Sequence, residues 1–72
     1  MKSIELTRAE ARRQYDGIAA QSKYLIVSEG CIGPWGQGRT EAAALEDAEA
    51  ASLEYEGRRF DPAGCWLIVV VD

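Results

Sequence analysis

The chain has no histidine, and its 72 residues include only two cysteines, two prolines and one phenylalanine. Without imidazole, the side chain that most readily changes charge near neutral pH, histidine-based general base catalysis is excluded, as are the usual zinc ligand sets. Cys31 and Cys65 lie far apart in sequence, and in a chain without a secretory signal they are expected as two buried or half-buried thiols. A disulfide is the alternative if their strands are neighbours. Long hydrophobic runs are missing too: the longest, Cys65 to Val71, is far short of the ~20 residues a membrane helix requires. The amino terminus shows no apolar signal-peptide region, so the expectation is a cytoplasmic protein with no membrane partner and no cofactor.

What is present is globular. Apolar residues make up 47% and charged residues 28%, outside the low-hydrophobicity regime of disordered chains, and the length suits one domain spanning residues 1–72. Charge is unevenly spread. Residues 1–23 hold five basic groups (Lys2, Arg8, Arg12, Arg13, Lys23) against three acids, whereas residues 24–72 hold nine acids against Arg39, Arg58 and Arg59. The acidic part repels phosphate backbones and attracts basic surfaces. Direct nucleic-acid binding is therefore disfavoured, and a basic protein or nucleoprotein complex is the expected partner. Solubility alone is the competing explanation of the acids.

Residues 2–6 alternate polar and apolar, as a short half-buried strand does. Thr7-Arg8-Ala9-Glu10 then forms a capping box flanked by Leu6 and Ala11, which starts a helix with Ala11, Tyr15 and Ile18 as its buried stripe. Lys23 to Ser28 reads as a strand that turns through Glu29-Gly30 into a second, shorter strand at Cys31-Ile32. Glycines 30, 33, 36 and 38, with Pro34, break regular structure before Thr40 caps a helix from Glu41 to Glu56, stopped by Gly57. Its core stripe is expected to be Ala44, Ala48, Ala51 and Tyr55, with Leu45 and Ser52 on the margin. A loop over 58–64 leads to a last strand, CWLIVVV, apolar at every position and so buried on both faces. That requires a helix on each face, or a helix on one face and a second subunit on the other, and a homodimer through the sheet is favoured. The order β-α-β-β-α-β describes an α+β domain with two helices on a three- to four-stranded sheet.

Residues 33–40, GPWGQGRT, match the phosphate-loop pattern except for arginine in place of lysine, and LIVVVD resembles a magnesium-positioning strand. Nucleotide binding is nonetheless rejected. The nucleotide folds need a five-stranded parallel sheet, Trp35 crowds a loop whose backbone must wrap phosphate, and Arg39 does not replace a compact lysine charge. The glycine segment is instead a hairpin-to-helix connection. Trp35 within it is either a lid over the sheet edge or an exposed anchor for a partner.

The second helix carries six acids and no cation. Glu46, Glu49 and Glu56 share a face with Leu53, and Asp47 and Glu54 share another. A catalytic carboxylate pair has no pocket to work in. The expected partner-binding set is Asp47, Glu49, Leu53, Glu54 and Glu56, with Trp35.

From Gly30 onward the chain resembles the end of the HicB-like antitoxin module, in which a strand leads through a glycine into G-x-T-x-x-E-A-L-x-x-A and a final strand. Gly38, Thr40, Ala44, Leu45 and Ala48 carry the match, and Ala43 stands where the family's capping glutamate would be. The resemblance implies a regulatory module that binds a small basic toxin. In size and charge the chain is also similar to the small acidic inhibitors of phages and mobile elements, the anti-CRISPR proteins above all. This similarity implies a non-enzymatic blocker whose acidic helix stands in for phosphate on a basic, nucleic-acid-binding surface of a host complex. That reading is the leading expectation, and the antitoxin reading is the alternative.

Overall fold

In the computed structural model, which describes residues 1–72, the chain runs β1 (Lys2–Thr7), α1 (Arg8–Gln14), β2 (Tyr24–Ser28), β3 (Gly36–Gly38), α2 (Glu41–Glu56) and β4 (Cys65–Val71). This is the expected α+β architecture and element order. The four strands make one mixed sheet in the order β1-β4-β2-β3. β4 runs parallel to β1 and antiparallel to β2, and β3 is antiparallel to β2.

Thr7 converts strand into helix. Its Oγ1 accepts from the Glu10 backbone N–H at 3.2 Å while the Glu10 carboxylate accepts from the Thr7 N–H at 3.0 Å, so two otherwise orphaned donors are satisfied. α1 ends at Gln14. Ala11 is fully buried from the helix, but Tyr15 caps it and Ile18 reaches the core from the following turn, where Gly17 adopts φ 74°. The expected stripe is thus split between helix and turn, because glycine releases the chain after two helical turns.

β4 alternates between two cores. Ile68 and Val70 join Ala11, Leu25 and Val27 beneath α1, whereas Cys65 and Leu67 join Ile26, Ala44 and Ala48 beneath α2. The all-apolar strand therefore obtains both of its covers from its own chain, and a sheet-to-sheet homodimer is not required to bury it. The covers are unequal, because α1 has seven residues and α2 sixteen.

Two local expectations are corrected. Cys31-Ile32 is not a strand; the short strand is Gly36-Gln37-Gly38, within the segment whose glycines suggest irregular chain. The reason lies in α2. A Cβ added to Gly36 would overlap the Ala44 carbonyl oxygen and stand 2.5 Å from the Ala48 nitrogen, and one on Gly38 would stand 2.8 Å from the Ala43 Cβ. The helix backbone rests directly on the strand backbone, which only glycine opposite alanine permits. The second correction concerns the stripe of α2. Ala44, Ala48 and Ser52 are buried and Tyr55 is 77% exposed, because the last turn extends past the buried contacts. Buried Ser52 is satisfied by donating to the Arg58 carbonyl at 2.9 Å.

Gln37 holds the opposite side of β3. Its Oε1 accepts from the Ala19 N–H at 2.7 Å and from Ser22 Oγ at 3.0 Å, and its Nε2 donates to the Gly17 carbonyl at 3.0 Å. One side chain thus ties three points of the connection between α1 and β2, with backbone bonds from Asp16 to Ile32 and from Lys23 to Gly38 holding its two ends.

Replacing Gly36 with alanine is expected to lower unfolding stability by about 3 kcal/mol, the upper end of overpacking costs, since the clash is with backbone that cannot rotate away. Gln37→Ala should cost about 1 kcal/mol, since it leaves the half-buried Ser22 hydroxyl without its acceptor while the Ala19 N–H and Gly17 carbonyl turn to water. Urea denaturation monitored by circular dichroism checks both, and a loss below about 0.5 kcal/mol for Gly36→Ala would show that α2 can lift off β3 freely.

Candidate protein-binding surface

Ala44, Ala48 and Ser52 turn inward with Ala43, Leu45 and Ala51 half-buried beside them, and Asp47, Glu49, Leu53, Glu54 and Glu56 are all exposed as the sequence suggests. Their surroundings differ. Asp47 Oδ2 accepts the Gln37 backbone N–H at 3.0 Å, which satisfies a donor on the outer edge of β3. Glu56 Oε2 accepts from Arg58 Nε at 3.1 Å, and Glu49 Oε1 lies 4.0 Å from Arg59 Nη2. α2 has no internal cation, yet the two arginines that follow it fold back on its carboxylates. These exposed pairs contribute at most a few tenths of a kcal/mol each and are easily exchanged for a partner's charges. Glu46 and Glu54 have no ion pair within the chain.

Leu53 is 57% exposed and lies beside a dimple of about 50 Å³ formed with Glu49, Arg59 and Phe60. Tyr55, assigned to the core by its helical spacing, is exposed instead, on the inward side of the helix where its last turn runs past the sheet. Its place in the final turn, after which Gly57 turns the chain at φ 69°, is the signal that could have separated it from the stripe. The carboxy-terminal half of α2 thus exposes two large apolar side chains on opposite sides, of which Leu53 is the one among the carboxylates.

Trp35 is mainly a lid. Its indole packs against the cluster beneath α2, its Nε1 donates to Ser28 Oγ at 2.9 Å, and its backbone N–H donates to the Ile26 carbonyl at 2.7 Å. Its accessible part lines a cleft of about 230 Å³ with Glu56, Arg58 and Phe60, so it borders the acidic surface without projecting from it. Cys31 and Cys65 are both free thiols, and burial, reinforced by Asp61 and Cys31, pushes the Cys65 thiol up. No group of three or more side chains is placed to hold a metal ion.

The opposite end of the sheet is basic. Arg8, Lys23 and Arg39, each beside the end of a different strand, line one cleft with Asp72, whose carboxylate meets Arg8 Nε at 3.0 Å. That hydrogen bond, the Arg8 charge, and then Lys23 and Arg12 hold the Asp72 carboxyl below its ordinary range. Two of the cleft's cations, Arg8 and Lys23, come from the basic amino-terminal segment and Arg39 from the acidic remainder, while Lys2 lies apart, over Trp66.

Comparison with protein-family models, with curated proteins and with solved structures finds no match. No helix is long and apolar enough to cross a membrane.

Two carboxyls link the fold to pH. Glu10 is held low by its backbone and side-chain hydrogen bonds to Thr7, and Asp72 by Arg8. Both have folded pKa values below their unfolded ones, so their stabilisation is complete above the ordinary carboxylate range, starts to fall as pH enters it, and is lost as pH falls through the lowered folded values. Thermal midpoints should accordingly drop as pH falls below about 4, and the drop should be smaller in Asp72→Asn. An identical pH profile in that variant would remove the Arg8–Asp72 contact from the account.

Proposed function

We propose that this chain is a non-enzymatic interaction protein whose acidic α2 surface binds and blocks a basic, nucleic-acid-binding surface of a host complex, in the manner of an anti-CRISPR inhibitor. One observation carries this reading: exposed Leu53 lies among the carboxylates Glu46, Glu49 and Glu56 on the solvent side of a helix whose opposite side is packed through Ala44, Ala48 and Ser52. Carboxylates accelerate encounter with a cationic groove, and desolvated apolar anchors at the centre slow dissociation. Glu46 and Glu54 are free of intramolecular cations, and Glu49 and Glu56 can exchange theirs. Asp47 is the exception, because it also holds β3.

A HicB-like antitoxin module, binding a small basic toxin, is the second reading. It is supported by Thr40, which caps α2 by accepting from the Ala43 N–H at 3.1 Å, and by the seating of that helix on Gly38.

Affinity capture from the native host, followed by competition with nucleic acid, separates the readings. An inhibitor is displaced by the complex's own nucleic acid; an antitoxin stays on its toxin. Glu49→Lys with Glu54→Lys should weaken capture about 100-fold or more at low salt while leaving the circular dichroism unchanged. Asp47 is left intact in this test because its loss would disturb β3. A folded double variant with undiminished binding would show the acids to be a solvated face only.

A further inference from the structure

The two edges of the sheet are finished differently. β3 is three residues long, and the Gln37 N–H on its outer side is taken by Asp47. β1, at the other edge, is six residues long, has no proline or bulge, and pairs with β4 alone. Five of its six residues are exposed. A long unprotected edge of this kind is a template for another strand.

The sheet face beside that edge is also incompletely covered. α1 lies over the end of β1 that carries Leu6, which packs into the core, and leaves the other end bare. Ile4 and Trp66 are each 38% exposed, and together with Tyr15, Val27 and Ile68 they line an apolar cleft of about 420 Å³. Lys2 does not guard the edge as a lysine there often does; its Nζ lies over the Trp66 ring, 5.7 Å from the centroid.

We infer that β1 pairs antiparallel with β1 of a second copy of this chain, about a twofold axis perpendicular to the sheet at Ile4. The strand's own pattern argues for a second copy over a foreign strand. Such an axis keeps the two faces of the sheet in register, so residues of the same parity oppose one another. Ile4 then faces Ile4, Lys2 faces the second copy's Leu6, and Ser3 faces its Glu5, so no like charges meet. On the α1 face, the bare end of one sheet comes to lie beside the helix-covered end of the other, and the two exposed Ile4 side chains meet at the axis, with each Trp66 one strand in, beside its own Lys2. β1 is at the far edge of the sheet from β3, the strand on which α2 rests, so the two acidic helices stay apart. This pairing does not depend on what α2 binds.

Sedimentation velocity over a dilution series of the 72-residue chain tests the inference. The expected result is a reversible equilibrium between a 7.9 kDa monomer and a species of twice that mass. Ile4→Lys and Ile4→Glu should each weaken association about 100-fold or more by placing like charges opposite one another, and an equimolar mixture of the two should restore the dimer. Restoration requires position 4 to oppose itself, which a merely destabilised fold would not reproduce. Hydrogen exchange on the unsubstituted chain gives a second readout, with protection of the β1 amides rising with concentration. A monomer at every concentration overturns the inference. So does a dimer that neither substitution weakens, a mixture that stays monomeric, or a dimer lost on Leu53→Asp instead.

Discussion

The fold depends on one contact, the backbone-to-backbone approach of α2 to β3. Gly36 and Gly38 present no side chains to the helix, and Ala43, Ala44 and Ala48 present the smallest ones back, so the axis of α2 lies closer to the sheet than a leucine-lined helix could. Close packing of small groups excludes water from both backbones and gains dispersion over many atom pairs. The contact also positions the rest of the chain. With α2 seated, Asp47 reaches the Gln37 N–H, and the Gln37 side chain on the opposite face ties down Gly17, Ala19 and Ser22. A three-residue strand thus connects the covering of both faces.

This contact also explains what was legible in the sequence. Elements specified by local chemistry were readable: the Thr7–Glu10 box, the Thr40 cap, the Gly57 stop and the apolar run of β4 all act within a few residues of themselves. β3 was not readable, because the property that makes Gly-Gln-Gly a strand is the shape of a helix that follows it in the chain. Glycine lowers strand propensity, and tertiary packing overrode it here. Tyr55 misled for a related reason. Helical periodicity gives the side of a helix a residue occupies, but not whether any sheet remains beneath that turn. In the candidate surface, the acids and Leu53 were legible as exposed residues, whereas the fold-back of Arg58 and Arg59 and the use of Asp47 depend on chain reversal after Gly57 and on β3.

Size explains the asymmetry of the two faces. A small domain buries a modest fraction of its surface, and this chain commits sixteen of its 72 residues to one helix. The remainder supplies a seven-residue helix and a turn to the other face, enough to bury Leu25, Ile68 and Val70 but not Trp66. Lys2 partly compensates by placing its aliphatic stem and charge over the indole. The exposed apolar patch thus follows from the same allocation of chain that produced the close α2 contact.

The acidic helix shows why a charge count does not define a surface. Six carboxylates on α2 look equivalent in the sequence, yet the structure gives them different electrostatic surroundings. Asp47 completes the hydrogen bonding of a sheet edge, so a cation that drew it away would leave the Gln37 N–H without its acceptor and oppose its own binding. Glu49 and Glu56 exchange one exposed arginine for another at almost no cost, which favours selectivity by shape over affinity by charge. Glu41, Glu46 and Glu54 gain the most from an incoming cation, having none at present. Of these three, Glu46 shares its face of the helix with exposed Leu53. An anchor side chain is most effective in such a place, where neighbouring charge draws the partner in and closure around the leucine excludes water from the contact.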